Sequence, residues 1–358
     1  MLAAKRCRNK YNYNNINNID DLPTVSVVVP ARNEESVISN CINSILQSDY
    51  SADKFEIVIV NDRSTDNTQA VINQLSTANK NIKICNITTE TANPNLNGKP
   101  GAIEAGIIAA SGDIIMMTDA DCVVGKDWIR TIASVFMEKS NVKRGIGMVC
   151  GYTNVATKTL FHCCQAAEWA YMHTYACAGI GLNTILGCFG NNISITRAAY
   201  YELGGFEHLE FSVTEDYVLL NAIFNAGYEI RYLCNKESVV ETLPVKTFRE
   251  YLTQRHRWSL GAIDLGWKAF LYVFSSACLW FAMILSLCIG NYYLFGLSVI
   301  LRFLGDALIL FPVFNILEKQ NLKKGIPFSV CFYCLIELIL PFTLLSKSVN
   351  WKGQKFKV

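Results

Sequence analysis

Charge is what this sequence has least of. Asp, Glu, Lys and Arg make up 17% of its 358 residues, against roughly 25% in an average soluble domain. That deficit excludes a disordered chain and a wholly soluble, highly charged one. A surplus of one sign is missing as well. The net charge is +2, so no global basic field marks a nucleic-acid binder, and no nucleic-acid partner is expected. No secretory leader is legible at the start, and the fourteen cysteines share no disulfide or metal spacing. Cys163 and Cys164 are adjacent, and Cys331-Phe332-Tyr333-Cys334 is a CxxC in an apolar run with no second ligand pair. The cysteines are therefore expected as reduced, buried thiols. What the chain does have is apolar mass, 51% hydrophobic, in a length that suits a domain of about 250 residues plus an appendage.

The charge that is present is unevenly placed. Residues 266–358 hold nine Lys/Arg against three acids, a balance of +6 that leaves −4 on residues 1–265. The last quarter is a different kind of segment, apolar in its runs and basic at its edges. Residues 1–21, basic and then Asn-rich, read as a flexible arm. Residues 22–244 then alternate short apolar runs (Val25–Val29, Ile57–Val60, Ile82–Ile87, Ile114–Met117) with helical patterns (Glu35–Gln47, Thr68–Leu75, Ala102–Ala110). This alternation predicts an α/β domain, a mostly parallel sheet with helices on both faces. In such sheets ligands sit beyond the carboxyl ends of the strands. Leu160–Ile185 is long, aromatic and weakly charged, a core helix pair or a helix on a membrane surface.

Val245–Trp267 carries Arg249, Arg255 and Arg257 among Phe248, Tyr251, Leu252 and Trp258, and predicts an amphipathic interfacial helix over 245–268. Residues 269–346 then hold three apolar segments, Ala269–Ile289, Tyr292–Pro312 and Ile326–Leu345. A membrane span needs about 20 apolar residues, so about three membrane helices are expected. Arg302 and Asp306 pair at i, i+4 within the second, while Glu337 in the third has no mate nearby in sequence. Residues 347–358 form a basic, aromatic tail.

The chemistry-bearing residues follow the strands. Asp119 and Asp121 close an apolar strand one residue apart, a spacing that lets two carboxylates reach one cation; oxygen ligands suit Mg2+ or Mn2+ on a diphosphate. The first strand leads into Pro30-Ala31-Arg32-Asn33-Glu34-Glu35, and the second into Asn61-Asp62-Arg63-Ser64-Thr65-Asp66. Asn97-Gly98-Lys99-Pro100-Gly101-Ala102 opens a helix whose glycines allow close approach and whose Lys99 can face a phosphate. Each has a plain alternative as a capped helix, with Glu34 a first-turn acid. Glu215-Asp216 could likewise cap a helix over Tyr217–Ala226, and Arg257-Trp258 could anchor an interfacial helix.

In order and spacing, the acidic strand end, Asp119-Ala120-Asp121, Glu215-Asp216 and Gln254-Arg255-His256-Arg257-Trp258 resemble the inverting glycosyltransferases of family 2. That GT-A group includes the cellulose, chitin and hyaluronan synthases and ceramide glucosyltransferase. The resemblance runs from about Thr24 to Trp258, and Gly190–Arg197 with Gly204-Gly205-Phe206 looks like the family's acceptor-side segment. It implies a GT-A catalytic domain (Rossmann-like) followed by membrane helices. Pro30, Glu34, Asp62, Lys99 and Asp119 would bind the donor, and Asp119 with Asp121 would hold the metal. Asp216 would be the general base; Glu215, Gln254, Arg257 and Trp258 would serve the acceptor and the diphosphate. Asn61 departs from the second Asp that many members carry.

The partners implied are a nucleotide sugar, taken as a UDP-sugar, a lipid or glycan acceptor, and a membrane. Asn350-Trp351-Lys352-Gly353-Gln354-Lys355-Phe356 resembles the endings of ceramide- and carotenoid-type enzymes, which favours a lipid acceptor. The alternative is a processive polysaccharide synthase of the cellulose, chitin or hyaluronan type. The location implied is the cell (inner) membrane, multi-pass, with the catalytic domain facing the cytoplasm. Three full spans would then put the Lys-rich tail outside, against the positive-inside rule. Either the Pro341 segment re-enters or the first apolar segment lies along the surface.

Overall fold

A computed structural model describes residues 22–140, 142–343, 346, 348–351 and 354–357; the arm over 1–21 lies outside them. The chain divides into two compact units. One takes the described residues up to Asn154 together with Tyr175–Leu243; the other takes Val155–Thr174 and the chain from Pro244 onward.

The first unit is built on a seven-stranded sheet in the order β3-β2-β1-β4-β8-β6-β9. Its strands are β1 (Val25–Ala31), β2 (Phe55–Asp62), β3 (Ile82–Ile87), β4 (Ile114–Met117), β6 (Ile146–Gly151), β8 (Ile193–Thr196) and β9 (Glu229–Leu233). β5 (Cys122–Val124), β7 (Thr153–Val155) and β10 (Val240–Thr242) form a small second sheet. The continuous apolar runs are what a sheet covered on both faces demands. Val27, Val28, Ile57, Val58, Ile115 and Met116 are all fully buried. Helices α1 (Ile38–Leu46), α2 (Thr68–Ala78) and α3 (Lys99–Ala109) return the chain between the first four strands. Parallel strands need such crossovers. α1 begins three residues later than its apolar pattern, because Glu34–Val37 are used in a turn in which Val37 N–H and Ile38 N–H both donate to the Glu34 carbonyl.

Register decides where the functional loops fall. Ala31 lies opposite Asn61, Asn61 opposite Asn86, and Val28 opposite Met117, so β1, β2, β3 and β4 end at one edge. β8 runs antiparallel to both β4 and β6, with Met117 opposite Ile193. The reversed strand therefore delivers the residues before Ile193, Gly190 among them, to the same edge.

The opposite edge carries a structural carboxylate. Glu56 accepts from Ser26 Oγ at 2.6 Å and from Ser111 Oγ at 2.8 Å, and meets Lys83 Nζ at 2.6 Å. Burial alone would raise its pKa, but Lys83 and the serine donors outweigh burial and bring it down to about 2. A depressed carboxylate contributes stability above its usual titration range and loses it as pH falls toward 2. Glu56→Gln is expected to cost about 1–3 kcal/mol at pH 7 and little at pH 2, read from denaturant unfolding at both pH values.

In the second unit, α5 (Leu160–Gly181) contributes its residues up to Thr174. Then comes α8 (Phe248–Gly261), the remaining α4 (Trp128–Phe136), α6 (Arg197–Glu202) and α7 (Glu215–Asn225) belonging to the first unit. A capping box starts α8: Thr247 Oγ1 accepts from Glu250 N–H and Glu250 answers to Thr247 N–H. The helix ends before Trp267, which corrects the expected 245–268 span. A short turn over Ala262–Leu265 leads to Gly266, whose φ of +58° ends the run. Arg255, one of the cations that the amphipathic pattern counts, is 3% exposed. Tyr251, also buried, packs edge-on against Phe161 and Phe332.

Three apolar helices follow, α9 (Trp267–Cys288), α10 (Tyr292–Ile316) and α11 (Ile326–Thr343). Among the described residues two helices rather than three are long and apolar enough to cross a membrane, Tyr292–Ile316 and Gln320–Thr343; Val273–Cys288 is a shorter apolar stretch. Glu337 does have a mate, one that sequence neighbours could not reveal. Its Oε1 and Oε2 accept from Arg302 Nη2 at 2.8 Å and Nη1 at 3.1 Å, and Oε2 also from Ser276 Oγ and Trp280 Nε1. Arg302 Nε donates to Asp306 at 3.1 Å, the pair expected from spacing. Beyond them, β11 (Ser348–Trp351) and β12 (Gln354–Lys357) pair antiparallel, where a tail is expected; Lys352 and Gly353 lie outside the described residues.

Candidate active site

The loops after β1 and β2 are braced against each other. Asn33 N–H donates to Ser64 Oγ at 3.1 Å, Thr65 N–H to Asn33 Oδ1 at 2.8 Å, and Glu34 N–H to Thr68 Oγ1 at 2.8 Å. Asn33 and Arg63 sit at φ +56° and +53°, a left-handed conformation uncommon for residues with a Cβ. Between the loops lies Asp62, 6% exposed, accepting from Arg63 Nε at 2.7 Å with Arg32 Nη1 at 3.9 Å. Beside it an open recess of about 670 Å³ is lined by Asn61, Arg63, Gln69, Asn86 and Thr88. Asn61 donates from Nδ2 to Gln69 Oε1.

Lys99 is the first residue of α3, and the turn before it depends on glycine. Gly98 has φ +71°, and a Cβ on Gly101 would lie 2.1 Å from the Leu96 carbonyl oxygen. The turn aims Lys99 Nζ at Asp119 Oδ1, 2.7 Å away, and at Glu215 Oε1, 3.2 Å away. One ammonium thus joins the strand-end acid after β4 to the first turn of α7. Burial works to lower the Lys99 pKa, but Asp119 and Glu215 overcome it and hold the amine firmly protonated.

Glu215 and Asp216 are the first two residues of α7 itself, whose N-cap is Thr214, so they do not cap a helix that starts at Tyr217. They differ in what they face. Glu215 turns to Lys99, whereas Asp216 Oδ2 accepts from Gly190 N–H at 2.8 Å. A Cβ on Gly190 would come within 3.4 Å of both acids and 3.3 Å of Lys99 Nζ, so this glycine lets three side chains close up around it. Burial, with Glu215 next to it, pushes the Asp216 pKa up to about 6, and Lys99 opposes the rise. The Gly190 contribution is not legible from sequence, because it depends on the reversal of β8.

Asp121 accepts from Thr242 Oγ1 at 3.4 Å, on β10. Behind the acids lie two thiols. Cys41 Sγ–H donates to the Asp119 carbonyl at 3.4 Å, and Cys122 Sγ lies 3.6 Å from Asp121 Oδ1. Both are fully buried, and burial together with Asp121 and Asp119 drives their pKa values well up. Glu34 also acts on Cys41, so the loop after β1 and the strand-end acids converge there. Among the described residues no group of three or more His, Cys, Asp or Glu could hold a metal by itself.

The structure therefore gathers Lys99, Asp119, Glu215 and Asp216 at one point and places Asp62, Pro30 and Glu34 at strand ends of the same edge. Gln254, Arg257 and Trp258 lie on α8 in the second unit. His256 is tied up locally, with Nε2 2.8 Å from the Ser346 carbonyl oxygen.

Comparison with known proteins now bears on this edge. A family described as "Glycosyltransferase like family 2" matches residues 23–261. A probable glycosyltransferase of Bacillus subtilis, YdaM, is 26% identical over 342 residues, covering 93% of this chain and 74% of that protein. The beta-monoglucosyldiacylglycerol synthase of Synechocystis is 28% identical over 270 residues, 71% of this chain and 53% of the synthase. The poly-beta-1,6-N-acetyl-D-glucosamine synthase of Staphylococcus aureus is 27% identical over 255 residues, 69% and 57%. The chain thus spans only a little over half the length of the two synthases. Among solved structures, a mannosyltransferase from Pyrobaculum calidifontis in complex with GDP-Man and Mn2+ aligns with a TM-score of 0.56 at 17% identity, over 92% of this chain and 93% of that one. At that identity the likeness speaks for the GT-A fold alone. With the family matched across two thirds of its length on this fold, the chain belongs to glycosyltransferase family 2.

Proposed function

We propose that this glycosyltransferase moves a sugar from a nucleotide sugar to a hydroxyl of a membrane lipid, with inversion, and that Asp216 is the base. The observation that carries the reading is Asp216 itself. It is a carboxylate held by a backbone N–H, with its pKa raised toward neutrality, beside an acid–lysine cluster at the carboxyl edge of the sheet. A base titrating near working pH both exists as carboxylate and accepts a proton effectively. Asp62 and the braced loops around Pro30 and Glu34 would hold the nucleoside. Lys99 would trade its contact with Asp119 for the donor's diphosphate, keeping the site's charge balanced. Gln254, Arg257 and Trp258 would serve the acceptor and the leaving diphosphate.

A divalent ion fits the donor set. Asp119 and Asp121 offer hard carboxylate oxygens either side of Ala120, and the lack of a third protein ligand among the described residues leaves positions for diphosphate oxygens and water. When bound there, Mg2+ or Mn2+ would neutralise charge growing on the leaving diphosphate.

The lipid acceptor is supported by the likeness to a glucosyldiacylglycerol synthase and by two helices of spanning length. Exposed Phe270, Phe281, Tyr293, Leu301 and Phe342 suit a lipid surround. The competing reading, polymer synthesis, is supported by the equally distant N-acetylglucosamine polymer synthase. The deciding test incubates detergent-purified protein with UDP-glucose, UDP-galactose, UDP-N-acetylglucosamine or GDP-mannose and diacylglycerol vesicles, with products read by mass spectrometry. A lipid carrying a single sugar is expected; a ladder of sugar units would select the polymer synthase. Membrane association has its own measurement. The intact chain is expected to stay with the pellet in a carbonate wash and to leave it only with detergent.

A further inference from the structure

Within the second unit, the space between the two assigned ends of the Gln254–Trp258 motif is filled by one largely buried ion pair, its Arg255 side chain 3% exposed and its Glu168 side chain 15%. Glu168, on α5, takes Arg255 in a fork. Its Oε1 accepts from Arg255 Nε at 2.7 Å, and Oε2 accepts from Arg255 Nη2 and, at 2.8 Å, from Tyr251 Oη. The remaining edge of the guanidinium ends on the motif, where Nη1 donates to Gln254 Oε1 at 2.8 Å. The guanidinium carbon also lies 4.1 Å from the centroid of the Trp258 ring and 4.4 Å from that of Tyr251. Trp258 is met by the edge of Trp169 at 5.3 Å, one residue along α5 from Glu168.

A buried ion pair is a poor way to gain stability, since apolar residues of equal volume often serve as well. This one has a feature that stability does not ask for: its planar fork fixes the side chains on either side of it, Gln254 through an amide hydrogen bond and Trp258 through its ring face. Arginine suits that task because the fork is rigid and stacks on aromatic rings; lysine does neither. We infer that Glu168 and Arg255 are positioning residues for sugar transfer, holding Gln254 and Trp258 in their working rotamers. The inference rests on the proposed role of Gln254 and Trp258. Glu168 acts through Arg255, and neither is a catalytic residue.

The test uses the full chain in detergent, with the donor that the panel above selects and diacylglycerol as acceptor. Glu168→Gln keeps the size and removes the charge; Arg255→Lys keeps the charge and removes the fork. Both are expected to lower kcat by roughly 10²-fold, the cost of misplacing a group that must be aligned. The KM for the donor should rise by less than kcat falls, because Asp62 and the loops around Pro30 and Glu34, proposed to hold the nucleoside, are untouched, and Glu168→Asp should recover part of the loss. Combined with Trp258→Phe, Glu168→Gln should add nothing beyond the larger single loss, as expected of residues acting through one another. Near-UV circular dichroism supplies a readout independent of turnover, since Glu168→Gln should alter a tryptophan band that is absent from Trp258→Phe.

A folded Glu168→Gln with unchanged kcat, or losses that simply add, would overturn the inference. If the tryptophan band responds as expected while the native protein transfers no sugar to any acceptor, the proposed function fails and the positioning of Trp258 stands. If transfer occurs but the band does not depend on Glu168, the positioning is wrong and the function stands.

Discussion

Asp216→Asn is expected to reduce sugar transfer by roughly 10²–10⁴ while leaving donor binding intact. The acceptor hydroxyl must lose its proton as it attacks the anomeric carbon, and Asn cannot take it. Because the Asp216 pKa lies near 6, kcat/KM of the native protein should fall as pH drops below about 6, where the carboxylate becomes protonated. Stability should move the other way. The pKa is raised on folding, so ionising Asp216 costs the folded state, and the cost appears as pH rises through the range between the usual carboxylate value and about 6. A neutral Asn removes that cost and can still accept from Gly190 N–H. Asp216→Asn should therefore melt at pH 7 no lower than the native protein, and a marked drop in Tm would mean that the carboxylate is structural. Glu215→Gln should lose less transfer, since Glu215 faces Lys99 and not the Gly190 turn. A normal pH profile with Asp216→Asn active and Glu215→Gln dead would exchange the two roles.

Removing divalent ions with a chelator is expected to abolish transfer, and Asp121→Ala to lower it by roughly 10³, the scale of several kcal/mol of lost charge stabilisation. Asp119→Ala should be at least as damaging, because it also releases Lys99 from its 2.7 Å contact. Lys99 would then stand against Glu215 and Asp216. The measurement is turnover at a series of fixed free Mn2+ concentrations. Loss of a carboxylate ligand should appear as a rightward shift of the Mn2+ curve before it appears as a lower plateau. Full turnover of Asp121→Ala in excess chelator would remove the metal from the proposal.

How far the sequence could be read depended on how local each signal was. Strand runs such as Ile57–Val60 and Ile114–Met117 were legible because both faces of a covered parallel strand are apolar, and the acids that follow them mark the ligand edge. The meeting of Lys99 with Asp119 and Glu215 was not, since it joins residues 20 and 116 positions apart through the crossover and the sheet register. Gly190 reads as part of a motif, yet its hydrogen bond to Asp216 exists only because β8 runs backward between β4 and β6. Arg255 looked like one more cation on an amphipathic helix, and its partner Glu168 lies 87 positions away. Glu337 shows the same limit: Arg302 reaches it across 35 positions, while Arg302 and Asp306, one helical turn apart, could be paired on spacing alone.

The thiols behind the acids give the site a built-in clock. Cys41 and Cys122 are fully buried, with the backbone of one aspartate and the side chain of the other as neighbours. Alkylating reagents attack thiolates, and here the thiolate is suppressed both by burial and by the surrounding carboxylates. Neither sulfur is expected to react until an opening of the surrounding structure exposes it. The rate at which these two cysteines take up a label should therefore report openings around the acids, without any substrate present. A ligand that pins Asp119 and Asp121 should slow the count in proportion to its occupancy.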